Sequence, residues 1–210
     1  PSHSIHLKPL AEDALSLPVR TGKARVIGIE PASLVTKSLV REVKTDDAGC
    51  FQSALNPGLT KIAVIERHKR TGKLGIGILE GYGLTGGAIA TTISHDSHNI
   101  VVAGDNDPDM LLAVRELADM GGGIVSVHGG AIRRLPLPIA GLMTSADPQE
   151  VNAVLHDMLV AARAELGIPE DVEPFMTLSF MALPVIPELK LTARGLFNVN
   201  TFSFVGVEAD

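Results

Sequence analysis

The chain has 210 residues, 45% of them hydrophobic and 20% charged, with a formal net charge of −6. That length is enough to bury a real core in one or two domains, and the acidic balance argues against a nucleic-acid groove, which needs a clustered basic face. No apolar run reaches the roughly 18 residues of a membrane span, and the single cysteine, Cys50, excludes an internal disulfide and suits a reducing compartment. The chain opens on Pro1 and carries no basic-then-apolar leader, so a cytoplasmic location and further sequence upstream are expected.

Aromatic residues are scarce, with no Trp, one Tyr and six Phe. The core must therefore come from Val, Ile, Leu and Ala, which suits strands buried on both faces. Ala24 to Ile29 and Leu34 to Val43 are β-branched runs separated by the turn cluster Glu30-Pro31-Ala32-Ser33. Arg20-Thr21-Gly22-Lys23 recurs as Arg70-Thr71-Gly72-Lys73, which predicts two hairpin turns with glycine supplying a positive φ. Asn56-Pro57-Gly58 marks a boundary between a small β-rich segment, residues 1–57, and an α/β domain, residues 58–210.

Past that boundary Lys61 to Glu66 predicts a strand, and Asn99 to Gly104 another. Asp107 as N-cap and Pro108 at the first helical position open a helix whose stripe is Met110, Leu111, Val114, Leu117 and Ala118, stopped at Gly121. Gly123 to His128 is the next strand, so the spacing predicts a βαβ unit with parallel strands. His128-Gly129-Gly130 reads as a tight hairpin turn. A second helix starts at Asp147-Pro148, with Glu150 completing a capping box, a stripe of Val151, Val154, Leu155, Met158, Leu159 and Ala162, and Gly167 at its end. Thr177 to Val185 is expected as a strand, Pro184 and Pro187 as a turn, and Phe202 to Val207 as a last strand. The fold class is α/β, a mixed sheet with at least one βαβ unit and two main helices, preceded by the small β-rich segment.

Chemistry concentrates in Ser94-His95-Asp96-Ser97-His98-Asn99, a polar cluster between the apolar runs Ala88 to Ile93 and Ile100 to Ala103. Polar groups held between buried runs need partners or they cost stability. One reading is a set of acid–base and binding groups aimed at a cleft; the other is a self-satisfied turn in which Asp and Ser cap backbone N–H groups. As a metal site it is incomplete, because His95 and His98 are three apart and reach one ion only from a turn or helix. Glu66-Arg67-His68 ends the strand before it, and reads either as anion- or substrate-orienting or as a solvated strand terminus. Gly75-Ile76-Gly77, Gly86-Gly87 and Gly121-Gly122-Gly123 lack the strand-to-helix and Lys-Ser/Thr context of nucleotide loops, and neither G-x-S-x-G nor H-E-x-x-H occurs.

Four segments carry a resemblance. They are Lys61-Ile62-Ala63-Val64-Ile65-Glu66-Arg67-His68, Ser94 to Ile100, Leu135-Pro136-Leu137-Pro138-Ile139-Ala140-Gly141-Leu142-Met143, and Thr177-Leu178-Ser179-Phe180 with Ala182 to Lys190. In this order they resemble the C-terminal region of bacterial adenine deaminase, while residues 1–57 resemble, more loosely, the tail of the small β domain that flanks the barrel in this amidohydrolase-like family. The resemblance implies an enzyme of purine salvage that hydrolyses adenine to hypoxanthine and ammonia, using divalent metal, manganese or iron, on an (α/β)8 barrel to activate the water that attacks C6. The barrel and its His-x-His ligands are absent from this sequence, so no metal is expected on this chain alone and the isolated chain is expected to be inactive.

The same resemblance implies that His95, Asp96 and His98 are catalytic contacts and that Ser97, Asn99, Glu66, Arg67 and His68 bind or support the substrate. It also implies adenine, the enzyme's own barrel and further copies in a homo-oligomer as partners, with no nucleic acid and no membrane. A non-catalytic domain that braces the barrel or builds an oligomer is the alternative, and a stand-alone small-molecule-binding protein a weaker third.

Overall fold

The computed structural model describes residues 4–209. In chain order the strands are β1 (Lys23–Ile29), β2 (Thr36–Glu42), β3 (Leu59–Ile65), β4 (Leu74–Glu80), β5 (Gly87–Thr91) and β6 (Ile100–Gly104). Helix α1 (Asp107–Asp119), strands β7 (Gly123–His128) and β8 (Ala131–Pro136), and helices α2 (Pro148–Ala164) and α3 (Pro174–Phe180) follow. Strands β9 (Leu189–Thr192), β10 (Gly195–Asn198) and β11 (Ser203–Phe204) close the chain. Strands β1 to β8 form one sheet in the order β2-β1-β4-β3-β6-β5-β7-β8, and β11-β10-β9 form a small second sheet.

Both faces of the large sheet are covered, and the period-2 alternation of its strands sorts the side chains between them. In β3, Ile62 and Val64 point to one core and Ala63 and Ile65 to the other. Helix α1 seals the second face with Met110, Leu111, Val114 and Leu117. The first face packs against Met158 and Ala162 of α2, Phe175 and Leu178 of α3, and Leu191 and Leu196 of the small sheet. The aliphatic, aromatic-poor composition is thus what a three-layer arrangement with a doubly buried sheet requires.

The sheet is mixed, as its sequence predicts, with β1 parallel to β4 and the remaining neighbours antiparallel. Strands β6 and β7 flank β5, each antiparallel to it, so the predicted βαβ strands run in the same direction. They share no ladder, because β5 lies between them. The turn expected at 70–73 lies within the 66–73 connection that joins β3 to β4, with Gly72 at φ 72°, and the Gly129-Gly130 turn joins β7 to β8 as expected; 20–23 instead leads into β1, the first strand among the described residues, and joins no hairpin.

Some local expectations shift. The α1 cap is Asn106, whose side chain accepts from the Asp109 N–H at 2.9 Å, one residue before the expected Asp107. Asp107 instead pairs with the buried Lys61 ammonium at 2.5 Å. Asp147 caps α2 by accepting from the Gln149 N–H at 2.8 Å, while Glu150 makes no capping bond among the described residues. The strand expected over Thr177 to Val185 is not formed: Pro174–Phe180 is helix α3. Glu173 caps it, Pro174 supplies its first-turn φ, and the buried Phe175, Leu178 and Ser179 follow a helical rather than an alternating period. The last strand shrinks to Ser203–Phe204.

Register decides which loops meet. Ile65 pairs with Ile100, Thr91 with Val101 and with Ile124, and Gly123 with Pro136. The segments 66–73, 92–99, 120–122 and 137–143 therefore leave the same end of the sheet.

Candidate functional site

The polar cluster is the connection from β5 to β6, both interior strands, so it stands at the end of the sheet rather than at its edge. The Ile65–Ile100 pairing sets Glu66-Arg67-His68 directly beside it. The two motifs picked out in the sequence are one structural unit.

Arg67 is the centre of that unit, with its side chain 1% exposed. Its guanidinium donates to the carbonyls of His98, Ala140 (2.9 Å) and Ser4 (3.3 Å), and to the Ser4 hydroxyl (3.2 Å). No carboxylate pairs with it among the described residues, and burial lowers its pKa from the ordinary value. A guanidinium carries five donors in a rigid fork and stays charged, so it can hold three chain segments at once by their oxygens. Gly141 makes room for it: a Cβ there, at φ 72°, would lie 2.9 Å from Nη1 of Arg67.

Glu66 faces its own hairpin. Its carboxylate accepts from the N–H groups of His68 (2.6 Å), Lys69 (2.8 Å) and Thr71 (3.0 Å) and from the Thr71 hydroxyl (2.8 Å). Burial pushes this carboxyl up, but the Thr71, Lys69 and His68 donors outweigh it and hold it at about 2. His68 is exposed, and its Nε2 lies 2.8 Å from the carbonyl of Ser97, tying the hairpin to the neighbouring loop.

Within that loop His98 adopts a left-handed φ of 47°, unusual outside glycine. The turn is closed by the His98 N–H donating to the Ser94 carbonyl at 2.5 Å and the Ser94 N–H donating to His98 Nδ1 at 3.3 Å. The imidazoles of His95 and His98 stand edge to face, 5.7 Å between centroids, and His95 also lies 4.6 Å from the ring of Phe180 on α3. The backbone of His95 is anchored by its N–H to the Ser179 carbonyl at 2.9 Å. Burial, then the neighbouring His95 and Arg67, push the His98 imidazole below its ordinary pKa; Asp96 opposes them and His68 adds to them.

Asp96 and Ser97 are exposed, and their side chains cap no backbone N–H among the described residues. Ser94 Oγ and Asn99 Oδ1 are buried with no hydrogen-bond partner there. So the turn is closed by an imidazole, not by the Asx/ST capping that a self-satisfied turn would use. Among the described residues no group of three or more His, Cys, Asp or Glu side chains is arranged to hold a metal ion.

Several contributors escape a reading of residue types. Thr92, fully buried, donates to the Gly141 carbonyl at 2.5 Å and accepts from the Gly123 N–H at 2.8 Å, stitching the cluster to the 137–143 loop. Phe180 falls in a stretch whose sequence predicts a strand, so its ring contact with His95 carries no local signal. The 137–143 segment did carry a signal, in its family-like Leu-Pro-Leu-Pro-Ile-Ala-Gly run.

Comparison with known proteins gives the family. Residues 33–203 match the model of the adenine deaminase C-terminal domain. The chain belongs to that family. It is 58% identical over 97% of its length to an adenine deaminase of Nitratidesulfovibrio vulgaris, covering 35% of that protein. It is 47% identical over 98% of its length to adenine deaminase 2 of Carboxydothermus hydrogenoformans, and 44% identical over 97% to an adenine deaminase of Clostridium acetobutylicum, covering 36% of each. The chain thus spans about a third of the length of the curated relatives it matches. All eight residues from Glu66 to Asn99 singled out in the sequence fall inside the family's matched span.

Proposed function

We propose that this chain is the C-terminal part of a cytoplasmic adenine deaminase of purine salvage, which hydrolyses adenine to hypoxanthine and ammonia, and that the 92–99 loop forms one wall of its active site. The observation that carries the reading is the state of that loop: two imidazoles, an exposed carboxylate and two buried oxygens unpartnered among the described residues, at the end of the sheet, in a domain that makes up about a third of proteins named adenine deaminase. Buried polar atoms without partners are rare in finished protein interiors and ask for a ligand, a water or a facing surface.

The family's divalent metal, manganese or iron, would supply an activated water. Among the described residues no set of donors fits a metal centre, so the barrel would hold it and no step through the metal is assigned to these residues. What they supply is positioned polarity. His95, Asp96 and His98 would meet the purine and the atoms exchanged at its C6, and Ser97 and Asn99 its polar edges. Glu66, Arg67 and His68 would set the loop from beneath and beside. The barrel in turn would be the partner surface, within a homo-oligomer, and the chain without it would be inert.

Replacing His98 by Ala in the full-length enzyme tests this. A positioned acid–base or hydrogen-bonding side chain contributes about 10²–10⁴-fold, so kcat/KM should fall about 100-fold, while losing the Nδ1 acceptor of the Ser94 N–H should cost only about 1–2 kcal/mol of stability. Wild-type kinetics in that variant would sink the reading and leave the domain a brace for the barrel.

A further inference from the structure

Three features converge on one ring. A backbone N–H can only donate, so the 3.3 Å contact from the Ser94 N–H makes His98 Nδ1 an acceptor without a proton. The proton of the neutral ring is then on Nε2, where no hydrogen-bond partner occurs among the described residues. The residue's carbonyl is gripped by the Arg67 guanidinium, and its left-handed backbone is locked in place by the bond from its own N–H to Ser94.

Resting on the reading of this loop as an active-site wall, we infer that His98 is held as a single neutral tautomer that presents its Nε2–H as a donor to an acceptor on the ligand, such as a purine ring nitrogen, with Arg67 as the positioning residue. The charged and titratable groups facing the ring are His95 and Asp96 on the loop and Arg67 and His68 on the hairpin. Three of the four are cationic or can become so, and together with burial they favour the neutral ring. Protonation would place a second N–H on Nδ1, facing the Ser94 N–H donor to donor. The turn that aims Nε2–H would then open. His98 is thus a donor in its neutral form and loses its place on becoming an acid.

Four variants of the full-length enzyme, assayed on adenine across the acid range, test this. Gln at position 98 sets an amide N–H at about the reach of Nε2, whereas Asn sets its amide at about the reach of Nδ1 and tolerates the left-handed φ. His98→Gln should keep kcat/KM within about tenfold of wild type, and His98→Asn and His98→Ala should both lose about 100-fold. The wild-type profile should fall on its acid side as the ring protonates, and that limb should be missing in His98→Gln. Arg67→Lys, which keeps the charge but not the fork, should lower kcat/KM without moving the limb. The inference is overturned by a His98→Gln enzyme as poor as His98→Ala, by an acid limb that survives in His98→Gln, or by activity that rises as the imidazole protonates. An unimpaired His98→Ala enzyme overturns the active-site reading as well.

Discussion

Two connections leave the same end of the sheet, both short and both dense in polar side chains, yet they are built on opposite terms. In the 66–73 hairpin the Glu66 carboxylate gathers three N–H groups and a hydroxyl of its own turn. In the 92–99 loop the carboxylate and hydroxyl at the tip point outward, and the buried oxygens of Ser94 and Asn99 have no partner among the described residues. Local polar density therefore does not distinguish a site from a turn; the balance of satisfied and unsatisfied groups does. Among the described residues one connection is complete within the domain, and the other leaves two buried oxygens unpaired.

Arg67 and His68 are where the two connections touch, and removing the buried Arg67 should break the comparison most violently. Arg67→Met fills the space but strips the donors from the carbonyls of His98, Ala140 and Ser4, and buried acceptors left unpaired cost about 1–3 kcal/mol each. Allowing for relaxation, the chain should lose about 3–5 kcal/mol in urea unfolding. A loss below about 1 kcal/mol would mean that the loops are set independently of the hairpin.

Glu66→Gln strikes the satisfied side alone. The amide keeps one acceptor oxygen and brings N–H groups where donors already converge, so a loss of about 1–2 kcal/mol is expected. The pH dependence has a definite sign. Because the folded-state pKa is depressed, the carboxylate's contribution is complete above its ordinary 4.5 and is lost as pH falls toward about 2. The stability difference between wild type and Glu66→Gln should accordingly shrink across that window, as followed by chemical denaturation at stepped pH. A difference that is constant with pH would show that the carboxylate is not charged in this turn.

How far these terms were legible beforehand differs by element. Helix α1 announced itself through Asp107-Pro108, its apolar stripe and Gly121, because caps and periodicity are local signals. Helix α3 did not: its helical burial pattern spans only seven residues, and the two Phe and the Thr among them mimic a strand. The insertion of β5 between β6 and β7 was equally hidden, since strand order is set by long-range pairing. At the site, the residues of both motifs were visible, but their contact depends on the Ile65–Ile100 register, which no local pattern encodes. The burial of Arg67 under the His98 and Ala140 carbonyls was hidden too, because a strand-end arginine is ordinarily solvated.

The smallest expected stability effect cuts the comparison most finely. Ser94 is fully buried and its hydroxyl has no partner among the described residues, so Ser94→Ala removes a desolvated polar atom and breaks no hydrogen bond. The chain should keep its stability within about 0.5 kcal/mol or gain slightly, because an unsatisfied buried hydroxyl is a cost that alanine does not carry. In the full-length enzyme the same change should lower kcat/KM roughly tenfold, about what one lost hydrogen bond to a ligand or its ordered water is worth. Stability unchanged and activity reduced is the signature of a group whose partner lies outside the domain. If Ser94→Ala instead costs more than about 1 kcal/mol and leaves turnover alone, the hydroxyl has an internal partner. The 92–99 loop would then be a finished junction like the hairpin beside it.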